Sequence, residues 1–298
     1  MTVLDQAFIK AYLRQGGVSR AEAEPSAPAQ CAEDIVATDV FHAEQAPPAA
    51  SEVPADLPAA DSAGVSEEPL PSGGPFAPRL RIDTVSWPEP SRRLQHEAGQ
   101  QIEHLAEAVL QAAEAGRKLI GVAGFSHGEG CTTVLLAVAR KLVQLDRNIL
   151  VLDADVARPR LAHQLGMAAE SGWLDVALGR IDLEDAVTES ETESLALLPY
   201  RGETTEDASE PPSVEAIDDT LDRVAGHYDV VLVDLGGSLT SGGEPSALAG
   251  QVAERIDSVL TVQNIRTTSH SHLAMLRQHF RRLGVAETGV IENFVDVT

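Results

Sequence analysis

The sequence is poor in cysteine, aromatic residues and cations, and each shortage excludes something. Cys31 and Cys131 are its two cysteines. They stand far apart in sequence, one of them in a polar tract, so they form neither a disulfide framework nor a cysteine metal site. Aromatic residues make up 4% of the chain, which leaves an aliphatic core; apolar residues reach 43%, enough to build one within 298 residues. Lys and Arg total 22 against 46 Asp and Glu, a formal net charge of −24. Affinity for duplex nucleic acid comes mainly from cations meeting phosphates, so a general nucleic-acid binder is not expected, although a local basic groove is compatible with this balance. No apolar run approaches the ~18–20 residues that cross a bilayer. No basic segment followed by an apolar one opens the chain as a secretory signal would. The composition therefore predicts a soluble, cytoplasmic chain.

The charge is unevenly spread. Residues 21–70 hold eleven acidic residues and no Lys or Arg, amid repeated Pro and Ala. Low hydrophobicity and like charge cannot offset the entropy of ordering such a chain, and its prolines keep it extended. The prediction is a disordered acidic linker over 17–90. Ahead of it, Leu4, Phe8, Ala11 and Tyr12 recur at helical spacing before Gly16 and Gly17, which predicts a short amphipathic helix within residues 1–16. Such a helix either docks on a partner at the end of a tether or folds back on its own domain.

Residues 91–298 are patterned as a globular domain. Apolar runs at 119–124, 149–152, 195–198, 230–233 and 259–262, and another around Val290, lack polar alternation and are separated by helical stretches. That is the pattern of a mostly parallel sheet covered on both faces, a three-layer α/β domain.

The first run leads into Gly124-Phe-Ser-His-Gly128-Glu129-Gly130-Cys131-Thr132-Thr133. This is close to G-x-x-x-x-G-K-[ST], the phosphate-binding loop, although Phe125 stands at the place of the first glycine. Glycines let backbone N–H groups curl around phosphate oxygens, and the following helix adds positive potential. Thr132 stands where a hydroxyl would ligate Mg²⁺. The lysine is replaced by Cys131. A hydrogen bond to a charged group contributes roughly 1.5–3 kcal/mol, so its loss predicts ~10–100-fold weaker binding and greater damage to turnover. Two other runs end in acids: Asp153 and Asp155 before Arg158-Pro159-Arg160, and Asp234 before Leu-Gly-Gly. In an open parallel sheet ligands sit at the carboxyl ends of the strands, where such acids can hold Mg²⁺ or take a proton.

In these segments the chain resembles the bacterial tyrosine kinases of the polysaccharide co-polymerase group, a branch of the MinD/ParA-like P-loop ATPases. The glycine loop is similar to their Walker A motif, 149–161 to their Asp-x-Asp Walker A-prime strand with its Arg-Pro tail, and 228–234 to Walker B. Gly172–Gly179, Leu183–Val187, Leu195–Pro199 and Gly289–Asn293 resemble the segments that follow, and the likeness covers about 118–297. It implies a P-loop NTPase fold binding ATP or ADP with Mg²⁺. Gly128, Glu129, Gly130, Cys131, Thr132, Thr133 and Asn293 would then be nucleotide contacts. Thr132, Asp153 and Asp234 would be the metal shell, and Asp153, Asp155 and Asp234 the catalytic acids, with Asp155 accepting the proton of a tyrosine hydroxyl. It also implies a role in capsular or exopolysaccharide biosynthesis or export, with a membrane co-polymerase or a related transmembrane protein as partner at the inner face of the membrane, and self-association.

Departures from the family pattern qualify this. The lysine is absent, and Leu235-Gly236-Gly237 replaces Thr-Pro-Pro after Walker B. Neither a tyrosine cluster at the end of the chain nor the Glu-x-x-Arg-x-x-Arg oligomerising helix is evident. Three readings stay open: an ATP-dependent kinase or ATPase with impaired catalysis, a non-catalytic pseudokinase adaptor, and a MinD/ParA-type positioning switch. The last is disfavoured by Ser126, which occupies the place of that group's extra lysine. Arg158 and Arg160 are either surface charges or substitute phosphate contacts. His270, His272 and His279 read as a solvated helix face rather than a metal site.

Overall fold

The computed structural model describes residues 10–13, 76–202, 211–237 and 247–294. In chain order these form β1 (Lys10–Leu13), β2 (Leu80–Ile82), α1 (Glu89–Glu97), α2 (Gly99–Glu114), β3 (Leu119–Gly124), α3 (Cys131–Gln144), β4 (Ile149–Asp153), α4 (Leu161–Leu165) and α5 (Trp173–Ala177). There follow α6 (Leu183–Ala186), β5 (Thr188–Ser190), β6 (Leu195–Leu198), α7 (Val214–His227), β7 (Val230–Gly236), α8 (Ala247–Arg255), β8 (Ser258–Asn264), α9 (His270–Arg282) and β9 (Ala286–Asn293).

The strands make one sheet in the order β1-β9-β8-β3-β7-β4-β6-β5-β2. From β9 to β6 all neighbours are parallel. The central runs lack polar alternation because both faces are covered. Ile120, Val122, Ile149, Val151 and Leu232 pack with α1, α2 and α3 on one side. Leu119, Ala123, Leu150, Leu152, Val231 and Val233 pack with residues of α5 to α9 on the other. The predicted three-layer fold with a mostly parallel sheet is therefore the one observed. The reversals at its margins are β5, antiparallel to β6, and β1, antiparallel to β9.

Two predicted boundaries need correction. The linker expected over 17–90 does not reach residue 90, because the described chain resumes at Phe76. Leu80–Ile82 pairs with β5, Val85 joins the core, and Trp87 Nε1 donates to Glu193 Oε2 at 2.8 Å. The helix expected within residues 1–16 is replaced at Lys10–Leu13 by β1, in register with β9 from Lys10 opposite Glu292 to Leu13 opposite Gly289. An edge strand offers unpaired backbone groups that a short extended segment satisfies irrespective of its own helical spacing. The rest of that predicted helix, and the linker before residue 76, lie outside the described residues.

Candidate functional site

The parallel strands β3, β4 and β7 bring their carboxyl ends together. Asp153 of β4 lies in register with Asp234 of β7. The turn between β3 and α3 needs left-handed backbone at Gly128 (φ +88°) and at Gly130 (φ +96°), the residue that precedes α3. Only glycine adopts this conformation without strain. A side chain at Gly130 would also run into Asn293.

The loop is braced from within. The buried Glu129 carboxylate accepts hydrogen bonds from Phe125 N at 2.8 Å and from Ser126 N and Ser126 Oγ at 3.2 Å each. Thr268 Oγ1 donates to the same group. Asn293 Nδ2 donates to the Glu129 carbonyl at 2.8 Å. The Phe125 ring stacks on His272 of α9, with centroids 4.1 Å apart and planes 8° from parallel. This stacking gives a physical reason for a phenylalanine where a phosphate loop ordinarily begins with glycine.

The braced loop forms one wall of a cavity of about 350 Å³. Gly128, Gly130, Cys131, Thr132 and Thr133 line it from the loop and α3; Asp155, Arg158, Arg160 and Gln164 line it from the segment after β4; Gly236, Gly237 and Phe294 close it. The amides of Cys131, Thr132 and Thr133 open α3 and have no intrahelical acceptor. They form an anion-favouring end of the helix.

The acids fall into different surroundings. Thr132 Oγ1 donates to Asp234 Oδ2 at 2.6 Å, and Gly236 N to Asp234 Oδ1 at 3.0 Å. Burial dominates all the same and raises the Asp234 carboxyl to about 7. Asp153 is also buried and raised to about 6, mainly by desolvation. Its Oδ2 accepts from Arg160 N at 2.8 Å and Leu161 N at 2.9 Å, its Oδ1 from Asp155 N at 3.3 Å. Trp173 Nε1 donates to its carbonyl at 2.8 Å. Asp155 reaches the cavity wall. Its Oδ1 accepts from Arg158 N at 3.1 Å and its Oδ2 lies 4.0 Å from His127 Nδ1.

Cys131 is buried, and desolvation, aided by Asp234 and Glu129, raises its thiol well above the ordinary range. The side chain is a neutral thiol at physiological pH and brings no positive charge to the cavity.

The sequence-derived candidates thus separate. Gly128, Glu129, Gly130, Cys131, Thr132, Thr133 and Asp155 line one cavity, and Asp234 stands behind Thr132. Three of the candidate side chains are held by the fold itself. The Asp153 carboxylate is turned into the loop that follows it, not into the metal shell proposed for it. The Glu129 carboxylate braces the loop beneath its own backbone. Asn293 is buried against that loop and does not line the cavity.

Sequence reasoning missed Gly236, Gly237, Gln164, Phe294 and Thr268. The Gly-Gly pair was a readable signal. A side chain at Gly236 would meet the Asp155 carboxylate, and one at Gly237 the backbone of Ser126 and His127. His272, expected on a solvated face, stacks on the loop. His279 packs edge-on to Phe280. Among the described residues no His, Cys, Asp and Glu group is arranged as a metal-binding cluster.

Residues 117–288 match the family model described as Cellulose biosynthesis protein BcsQ. The chain belongs to the BcsQ family. Beyond it, the chain is 24% identical over 185 residues to the tyrosine-protein kinase ptk of Acinetobacter johnsonii, which is 61% of this chain and 24% of that protein. It is 25% identical over 177 residues to an uncharacterized ATP-binding protein of Methanocaldococcus jannaschii, 59% of this chain and 64% of that one. It therefore spans less than two thirds of either relative's length. The kinase domain of the Escherichia coli tyrosine kinase ETK shares the fold, with a TM-score of 0.55 at 19% identity over 72% of this chain and 89% of that domain. The kinship with bacterial tyrosine kinases and MinD-like P-loop NTPases expected from the motifs holds, with BcsQ as the family. Among the described residues no helix is long and apolar enough to cross a membrane.

Proposed function

We propose that this BcsQ-family chain is a tyrosine-kinase-like P-loop protein of capsular, cellulose or other exopolysaccharide synthesis or export, that it binds ATP or ADP with Mg²⁺, and that its catalysis is impaired. One observation carries the reading: a phosphate-type loop with its glycine geometry intact has a buried, uncharged thiol at Cys131 where phosphoryl transfer needs a cation.

The residues fit the ligand. Left-handed Gly128 and Gly130 open the loop, and the first amides of α3 favour anions. Thr132 and Asp234 offer adjacent oxygens of the kind Mg²⁺ takes. When bound with the nucleotide, the metal would neutralise phosphate charge. Thr132 and Asp234 would hold it, and Asp153 would support the shell through the backbone it fixes. Asp155, which lines the cavity, would take a proton from a hydroxyl.

The bonding of Asp153 favours a second reading. A carboxylate committed to three backbone amides suits a non-catalytic adaptor of a membrane co-polymerase, acting at the inner face of the membrane. Both readings are tested in a producing strain that lacks the gene. Complementation with the native chain and with Asp155→Asn should restore polysaccharide output equally. Output that falls to the deletion level with Asp155→Asn would overturn impaired catalysis. Output indifferent to the native chain would overturn the polysaccharide assignment.

A further inference from the structure

The segment from Asp153 to Leu161 is fixed by the very acids that a metal site would be expected to use. Asp153 Oδ2 accepts from the backbone of Arg160 and Leu161, and Asp155 Oδ1 from the backbone of Arg158. Ala154 N donates to the Asp234 carbonyl at 2.9 Å, which ties the segment to β7. Pro159 restricts the backbone between the two arginines. The acids thus set the main chain, and Arg158 and Arg160 line the 350 Å³ cavity together with the glycine loop and Thr132.

Both arginines are exposed, and among the described residues neither guanidinium makes an ion pair. This matters in a chain of net charge −24, where other described arginines are paired, as Arg79 is with Asp185 and Arg277 with Glu287. Among the described lining residues, Arg158 and Arg160 are the permanent cations, and Asp155 and Glu129 are the acids.

We infer that Arg158 and Arg160 supply, from the strand next but one to β3, the positive charge toward a bound polyphosphate that residue 131 does not supply. The inference rests on the reading of the cavity as a phosphate site. The guanidinium is planar, permanently charged and able to meet two oxygens of one phosphate at once. It approaches from across the cavity, whereas a lysine at 131 would approach from the helix. Charge for binding is restored, but not at the same position, which fits a site that holds a nucleotide and turns it over poorly.

The test is calorimetric titration of the full chain with Mg·ATP, Mg·ADP and pyrophosphate, in native form and as Arg158→Gln, Arg160→Gln and the double variant. Arg117→Gln, an exposed arginine at the opposite end of β3, is the charge control. Each cavity substitution should weaken binding at least about 10-fold. The loss should be larger for Mg·ATP than for Mg·ADP, appear for pyrophosphate as well, and be recovered in large part by Arg160→Lys. Melting should not change, because both side chains are exposed. Native and double variant binding alike, with Mg·ATP bound by both, would overturn the inference and leave the phosphate site standing. An equal loss with Arg117→Gln would reduce the effect to net charge and overturn it too. Failure of the native chain to bind any of the three probes would overturn both the inference and the site beneath it.

Discussion

Thr132 Oγ1 and Asp234 Oδ2 lie 2.6 Å apart, and this bond joins the first turn of α3 to the end of β7. Burial is the main cause raising the Asp234 carboxyl to about 7, against the opposing effect of the Thr132 hydroxyl. The folded chain therefore holds this proton more tightly than the unfolded chain, whose carboxyl titrates near 3.8. The stabilisation is complete below about pH 4 and is lost as pH rises through about 7. Urea unfolding at pH 5 and pH 8 should show the native chain losing on the order of a few kcal/mol more than Asp234→Asn across that interval. Equal changes in the two proteins would contradict this.

Asp153 should act on stability through the backbone it binds. Asp153→Ala leaves the amides of Asp155, Arg160 and Leu161 without their acceptor. A buried polar group left without a partner costs about 1–3 kcal/mol, so a loss of at least about 2 kcal/mol is expected in denaturant unfolding. Because the loop carries Arg158 and Arg160, nucleotide affinity should fall with it. A variant as stable as the native chain would show that these bonds are not stabilising.

The two glycines of the loop should respond differently to alanine. At Gly128 a methyl group meets nothing within 4 Å, whereas at Gly130 it collides with the Asn293 amide. Both carry the cost of a left-handed residue, roughly 1–2 kcal/mol. Gly130→Ala adds the displacement of Asn293, which holds the Glu129 carbonyl. Thermal unfolding should rank native, Gly128→Ala and Gly130→Ala in falling order, and only the last should regain stability when combined with Asn293→Ala. Equal melting of the two single variants would remove the packing argument.

Pairing of Lys10–Leu13 with β9 makes these four residues part of the sheet. Deletion of residues 1–13 should accelerate hydrogen exchange at Gly289–Glu292 and leave β3 and β7 unaffected. Unchanged exchange along β9 would separate residues 10–13 from the fold.

The central strands were legible because burial on both faces leaves them as unbroken apolar runs. β6 was read at its observed bounds, and β7 and β8 extend beyond theirs only because polar residues such as Asp234 and Gln263 continue the pairing. The marginal strands were not legible. Leu-Arg-Ile and Thr-Glu-Ser are three residues each and carry charge, so neither length nor hydropathy marks them. Lys10–Leu13 was misread because spacing suggested a helix, while a vacant sheet edge decided the outcome. In the site, the glycine turn and the three acids could be placed from strand ends. Their orientations could not, because they are set by backbone hydrogen bonds that Asp153 and Asp155 accept within the segment after β4. The Phe125–His272 stack and the Thr268–Glu129 bond join residues more than a hundred positions apart and have no local signature.

The most direct measurement of impaired catalysis is the rate of phosphate release from saturating Mg·ATP by the native chain and by Cys131→Lys. The native chain should bind Mg·ATP and release phosphate at least about 10-fold more slowly than the lysine variant. Release by the native chain as fast as by Cys131→Lys, or no Mg·ATP binding by the native chain at all, would contradict the account.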